Sequence, residues 1–558
     1  MRLALLLLPF LLSCSPQISY TPQKTAYSTD DMIVAAHPLA VRAGHEIFRK
    51  GGNAVDAAIA AQFALAVVHP RAGNIGGGGF MVLRTVEGQY DALDYREKAP
   101  LAATETMYLD GQGRVIPELS LSGHRAVGVP GTVMGMYEAH RKYGRIKEFG
   151  DLLAPAIRLA KKGFPISQAE AGRLNEFRAD FLRYNDTPNP FAIDKHWKSG
   201  DLLVQPELAR TLERIRKSGP EEFYTGETAQ MLLDEMARGG GLLSRQDLES
   251  YEAVWRNPVV GSYKNYRIIS MPPPSSGGIA LLQLLRILEH YPMKAGDPES
   301  MHLMIEAMRR VYADRAQYLG DPDFFEVPVD SLLDEGYLAG RMADFSADSA
   351  TSSLHTGWGD FKVRLEHFET THTSVVDAEG MAVSVTTTLN SNYGSKVVVG
   401  GAGFFLNNEM DDFSVKPGEP NQFGLVGGKA NAIEPGKRML SSMTPTIVEK
   451  DGQLFLLLGS PGGSTIITAN LQVILNVIEF GMTLPDAVAA PRFHHQWLPD
   501  EVWVEKGRFD PILLEKLRSK GHTLVDKERL GIVKAIQILP DGRRCGAADF
   551  RNPDDHAQ

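Results

Sequence analysis

The stretch His367-Phe368-Glu369-Thr370-Thr371-His372-Thr373-Ser374-Val375-Val376-Asp377 decides how this chain is read. Before it lies Phe345 to Asp360, FSADSATSSLHTGWGD, rich in Ser, Thr, Gly and Asp and poor in aliphatic residues, the composition of an exposed loop. After it the apolar pattern switches to period two. Thr373 to Val376 reads as a short strand, Asp377-Ala378-Glu379-Gly380 as a turn, and AVSVTTTLN, ending at Asn390, as the returning strand. Thr370 therefore stands where a loop meets a hairpin. A threonine hydroxyl is a poor nucleophile until a base removes its proton. An α-amino group, with a pKa of about 8, is near enough to neutral to do so. Cutting the bond between Glu369 and Thr370 would create nucleophile and base in one residue. Taken alone the pattern is weak, because β-branched residues commonly open strands.

Working outward, the apolar spacing predicts a helix from Met32 to Arg49, closed by Gly51-Gly52. Asn53 reads as the N-cap of AVDAAIAAQFALAVV, whose small residues on most faces call for burial. That helix stops at His69-Pro70. Gly76 to Gly79 lead into the strand-like FMVLRT, and Pro272 to Gly278, PPPSSGG, signal a turn. PESMHLMIEAMRRVYADRAQYL reads as an amphipathic helix. TIVEKDGQLFLLLG predicts a second hairpin turning at Asp451-Gly452, with a helix starting near Ser464. Hairpins in one part and helices in another suggest layered α and β elements.

The whole chain sets limits. It has 558 residues, 43% hydrophobic and 23% charged, an ordinary globular composition. A net charge of −10 argues against a nucleic-acid partner, which needs a basic face. Cys14 and Cys545 are the only cysteines, too few for a cysteine metal site. No HExxH pattern occurs, and the adjacent His494 and His495 cannot share a helix face as paired ligands. Arg2 followed by LALLLLPFLL is a secretory signal, too short to span a bilayer. Leu11-Leu12-Ser13-Cys14 resembles a bacterial lipoprotein processing site, which would make Cys14 the lipid-bearing first residue. A plain signal peptide with an incidental cysteine is the alternative. Either way the chain is expected to be exported, periplasmic or tethered to a membrane by its lipid. Pro16 to Thr29 reads as a flexible lead.

Further motifs follow one another along the chain: GGNAVDAAIA, HPRAGNIGGGGFM, DYREKAP, GVPGT, PPPSSGG, TTHTSVVD, TTTLN, LNNEMDDFS, SSMTPTIV, GSPGGS and APRFHHQWLPD. Together they resemble the γ-glutamyltranspeptidases, members of the N-terminal-nucleophile hydrolases, over nearly the entire mature chain. The resemblance implies an α+β fold, a four-layer αββα sandwich, made from a precursor that cleaves itself. The division it implies is 1–13 signal peptide, 14–29 tether, 30–369 large subunit and 370–558 small subunit. The implied activity moves the γ-glutamyl group of glutathione, or another γ-glutamyl amide, to water or to amino acids and peptides. No cofactor and no metal are implied.

The same resemblance assigns roles. Thr370 attacks the γ-carbonyl, and Thr388 on the return strand sets its hydroxyl against the nucleophile. Gly462 and Gly463, in Gly459-Ser460-Pro461-Gly462-Gly463-Ser464, form the oxyanion hole, since successive N–H groups can converge on an anion. A phosphate loop is the competing reading of these glycines, but no lysine follows them. Gly427-Gly428-Lys429 is no better, with Ala430 next and Phe423 where the first glycine belongs. Arg96 would pair with the substrate's α-carboxylate, helped by Ser441, Ser442 and Asn390. Glu409 and Asp412 would hold its α-ammonium. Lys416 to Gly424 resembles the family's lid loop, with Phe423 where some relatives carry Tyr, so the latch lacks a hydroxyl. The rival readings are an acylase acting on glutaryl side chains and an inactive surface binding protein. A glutaryl substrate lacks the ammonium and leaves Glu409 and Asp412 without purpose.

Overall fold

The computed structural model describes residues 20–356, 370–419 and 425–558. Two seven-stranded antiparallel sheets lie face to face. One runs, edge to edge, Thr25–Ser28, Arg544–Ala548, Lys534–Ile538, Gln453–Gly459, Thr446–Lys450, Tyr266–Ser270 and Val259–Tyr263. The other runs His556–Ala557, Met32–Ala35, Thr371–Val376, Ala382–Thr388, Gly78–Arg84, Tyr90–Tyr95 and Val254–Arg256. Side chains such as Val34, Phe80 and Val376 from the second sheet meet Ile269, Leu457 and Ile536 from the first. Helices Pro38–Arg49 and Ala54–Val68 cover the outer face of the second sheet, and Gly277–Glu289 and Thr465–Ile478 cover that of the first. This is the αββα sandwich expected. Each helix hides an apolar face against its sheet.

The Ala-rich helix is buried along its whole length. Its start is a capping box: the Asn53 side chain accepts from Asp56 N, and Asp56 accepts from Asn53 N. Both hairpins form, with Asp451 and Gly452 in left-handed backbone at the tip of the second.

Four expectations need correction. Met32–Ala35 is a strand, and the helix begins only at Pro38, since the β-branched run pairs with Thr371–Val376. The lead read as flexible to Thr29 is folded from Tyr20: Thr25–Ser28 pairs with Arg544–Ala548, and Lys24 Nζ donates to three carbonyls near the C-terminus. Helix Pro298–Tyr318 is buried all round from Ser300 to Ala316, not amphipathic. Its charged side chains are paired inside: Glu306 with Arg309 and Arg310, and Asp314 with Arg341. The loop upstream of Thr370 is only partly exposed. Ser353 is buried, its N–H donating to Asp500 Oδ2 and its carbonyl accepting from Trp497 Nε1. Cys14, Glu369, Phe423 and the signal segment lie outside the described residues.

Candidate active site

Alternation along the nucleophile hairpin fixes where its side chains go. Thr373 and Val375 point to the helices, Thr373 Oγ1 accepting from Gln62 Nε2 at 3.0 Å. His372, Ser374 and Val376 therefore point into the gap between the sheets. Thr371 pairs with Thr387, so one further step sets Thr370 opposite Thr388, both on the inter-sheet side. The Thr370 hydroxyl donates to Thr388 Oγ1 at 3.4 Å, long for an O–H···O bond. Thr388 Oγ1 also accepts from Asn390 N at 2.8 Å. Asn390 has φ +76°, a conformation asparagine tolerates better than most residues, and its Nδ2 is tied to Asn408 O.

A small cleft opens at this end of the gap. Thr370, Thr388, Asn390, Arg96, Glu409, Asp412, Ser441, Ser442 and Gly463 all line it, nine of the expected residues drawn from six separate stretches of chain. Gly462 stands one residue behind the wall. Gly462 and Gly463 have φ +137° and +53°, and their carbonyls accept from Thr465 and Ile466. The carbonyls are thereby turned into the start of helix Thr465–Ile478. Among the described residues neither glycine N–H is engaged by an acceptor, which leaves both available to an oxyanion. A roomier, mostly apolar groove lined by Met301, Leu475, Phe480 and Phe509 lies elsewhere and holds none of these groups.

Arg96 follows strand Tyr90–Tyr95 and is fully buried. Its N–H donates to Asp94 Oδ1 and its carbonyl accepts from Tyr251 OH, so backbone and neighbours aim the side chain. Its fork, expected to receive a substrate carboxylate, is engaged by carboxylates of the protein itself. Nη1 lies 2.6 Å from Glu409 Oε2 and Nη2 pairs with Asp412 Oδ2, while Glu97 Oε2 is 3.5 Å from Nη1. The short 3-10 turn Glu409–Asp412 brings both carboxylates to one side. Three carboxylates thus share one guanidinium away from water. Burial pushes Glu409 well above the usual carboxylate range, raises Asp412, and lifts Glu97 to about 8 despite Arg96.

Ser441 and Ser442 are framed by the PPPSSGG turn. Ser276 N and Ser276 Oγ both donate to Ser441 O, Ser441 N donates to Pro274 O, and Ser275 Oγ donates to Met443 O. The sequence offered that turn as punctuation; the structure makes it the bracket of two cleft-lining serines. Sequence reading also missed Arg315, a cleft-lining residue of the long helix. The signal available was a basic residue at a core-facing helical position. A third miss is a buried cluster of His302, Glu306 and His522, whose ligating atoms come close together. Here His302 Nδ1 meets His522 Nε2 at 2.7 Å, and the Glu306 oxygens are taken by Arg309, Arg310 and Thr351 N. It lies outside the cleft and acts as a clasp on residues 344–353. Of the lid, Lys416–Glu419 are described; Leu425, the residue after it, borders the cleft.

Residues 40–558 match the family model for gamma-glutamyltranspeptidase. The chain is 46% identical over 552 residues to the glutathione hydrolase proenzyme of Escherichia coli K12, covering 97% of this chain and 94% of that one. It is 47% identical over 528 residues to the glutathione hydrolase proenzyme of Pseudomonas aeruginosa, covering 92% of each. Among solved structures, a cephalosporin acylase from Bacillus halodurans superposes with a TM-score of 0.84 at 27% identity, over 99% of both chains.

Proposed function

The chain belongs to the γ-glutamyltranspeptidase family, and from that premise we propose how this site carries out its reaction. The protein is an enzyme, a glutathione hydrolase and γ-glutamyl transferase made as a proenzyme. The observation that carries the mechanism is the convergence, in one cleft, of the Thr370–Thr388 hydroxyl pair with an arginine held among three carboxylates.

Cleavage before Thr370 turns its amide nitrogen into an amine. That amine takes the Thr370 hydroxyl proton as Oγ1 bonds to the γ-carbonyl carbon of the substrate. The N–H groups of Gly462 and Gly463 hold the oxyanion. The carbonyl carbon–nitrogen bond then breaks, and the proton passes to the departing amine. Water, or the amine of an amino acid or peptide, next attacks the resulting ester. It gives up a proton to the Thr370 amine, which returns it to Oγ1 as the ester bond opens.

The glutamyl end carries both charges. Its α-ammonium enters beside Glu409 and Asp412 and replaces Arg96 as their partner. The Arg96 fork is then released to the α-carboxylate, with Ser441, Ser442 and Asn390 as further contacts. Truncating either side of such a buried charge pair costs about 2–5 kcal/mol.

Three measurements test this reading. N-terminal sequencing of the purified protein is expected to find Thr370 heading one fragment. Thr370→Ala is expected to stay uncut and inactive; a mature, active variant would refute the assignment. Hydrolysis of a γ-glutamyl anilide should far exceed that of a glutaryl anilide, and the reverse order would make the enzyme an acylase of the glutaryl type. The chemistry of residues 1–14 supports a separate proposal, that the chain is exported and carries lipid on Cys14. Mass spectrometry of the N-terminal peptide decides it, an unmodified Cys14 excluding the anchor.

A further inference from the structure

We infer that Arg315 is a positioning residue for the substrate's α-carboxylate, holding Ser442 and the Ser441 segment as hydrogen-bond donors and supplying a standing positive charge to that side of the cleft. The inference rests on the reaction proposed above.

Arg315 lies near the end of helix Pro298–Tyr318, is 5% exposed and lines the cleft. Its Nε donates to Ser276 Oγ at 2.9 Å and its Nη2 to Ser442 Oγ at 3.1 Å. Unlike Arg96, it is ion-paired with no carboxylate among the described residues. Asp412 is near enough to favour its charge, but that carboxylate is engaged by Arg96, and burial pulls the guanidinium down to about 10.

A hydroxyl has one hydrogen to donate and two lone pairs. Ser276 donates its hydrogen to Ser441 O and accepts from Arg315, so it links the arginine to the serine segment. Ser442 accepts from Arg315, and Ser441 Oγ accepts from Met443 N. Both serines therefore keep their own hydrogens for an acceptor in the cleft, which a carboxylate is. The cleft is polar in the electrostatic sense as well. Around Arg96 there are more carboxylates than cations; beside Ser442 stands Arg315, a cation with no carboxylate ion-paired to it among the described residues. An α-amino acid head, ammonium on one side and carboxylate on the other, fits that arrangement in one orientation. Arg96 must first be released from Glu409 and Asp412, whereas Arg315 and its serines are already in place.

The experiment compares wild type, Arg315→Ala and Arg315→Lys on two p-nitroanilides. One is γ-glutamyl; the other is 4-aminobutyryl, which keeps the ammonium and the scissile amide but lacks the α-carboxylate. Two fragments on a denaturing gel establish that each variant matures. For Arg315→Ala, KM for the γ-glutamyl substrate is expected to rise about tenfold or more with kcat changed far less. The preference for the carboxylate-bearing substrate should fall by the same factor, and Arg315→Lys should recover part of it. An unchanged preference overturns the inference, and so does an equal loss on both substrates, the mark of a purely structural role. If Arg315→Ala fails to mature, Ser276→Ala takes its place. It leaves the charge but removes the link, and must weaken the γ-glutamyl substrate selectively or the inference falls. A wild type that does not cleave the γ-glutamyl anilide refutes the proposed function itself; an active wild type indifferent to Arg315 refutes only this inference.

Discussion

Glu97, Glu409 and Asp412 crowd a single guanidinium, and their burial sets how the site responds to acid. Glu97 is held up at about 8 against an ordinary value of 4.5, burial outweighing the pull of Arg96. The folded protein keeps that proton where the unfolded chain has lost it. The stability it contributes is complete below about pH 4.5 and disappears as pH rises through about 8. Glu97→Gln cannot ionise. Its melting temperature, relative to wild type, should climb between about pH 4.5 and about pH 8 and level off above, and a flat difference would contradict the assignment. Thr388 makes a second prediction at this scale. Its hydroxyl accepts from Asn390 N and from the nucleophile, so Thr388→Ala removes both contacts. Loss of roughly tenfold to a hundredfold in kcat, with slower self-cleavage and little change in KM, is expected from steady-state kinetics.

At the scale of elements, the nucleophile hairpin depends on glycines that let strands approach closely. A Cβ on Gly77 would stand 2.1 Å from the Thr388 carbonyl oxygen, and one on Gly79 2.4 Å from that of Thr386. Both obstacles are backbone and cannot swing aside. Gly77→Ala should therefore lower stability by about 1–3 kcal/mol, as overpacking does. It should also slow maturation, read as persistence of the uncut band. Wild-type maturation and melting would show that the strand yields more easily than its packing indicates. His372 is packed in the same way: its ring fills the space a side chain on Gly459 would need, and its nitrogens bond Thr386 and Ser374. Burial holds it neutral, far below its usual range, so it is a structural member of the hairpin.

For the whole molecule, the two products of the proposed cleavage are not two domains. The sheet that Thr370 leads into mixes strands from both sides of the proposed cut: Met32–Ala35 beside Thr371–Val376, and Ala382–Thr388 beside Gly78–Arg84. The opposite sheet pairs Thr446–Lys450 with Tyr266–Ser270 and Arg544–Ala548 with Thr25–Ser28. The cleft takes Arg96 and Arg315 from one proposed subunit and its other lining residues from the other. The fragments should therefore elute as one particle under native conditions and separate only on denaturation. Recovery of an active, isolated 370–558 fragment would contradict this architecture.

The hairpin and the capped Ala-rich helix were legible in the chain, because period-two alternation and a cap three residues from its partner are local properties, and nine of the cleft-lining residues were legible through the resemblance that their motifs carry. Local patterns misled at Met32–Ala35 and Thr25–Ser28, where pairing with distant strands outweighs neighbouring propensity. They misled again in Pro298–Tyr318, since a stripe of charged residues such as Glu306, Arg309, Arg310 and Asp314 looks like a solvent face until buried partners appear. Which charges meet was decided by tertiary structure alone. Arg96 is engaged by Glu409 and Asp412, more than three hundred residues away, and Arg315 reaches the serines bracketed by Pro272 to Gly278. A sequence lists the ionisable groups, but only the closed interior, by excluding water, determines which of them must satisfy one another.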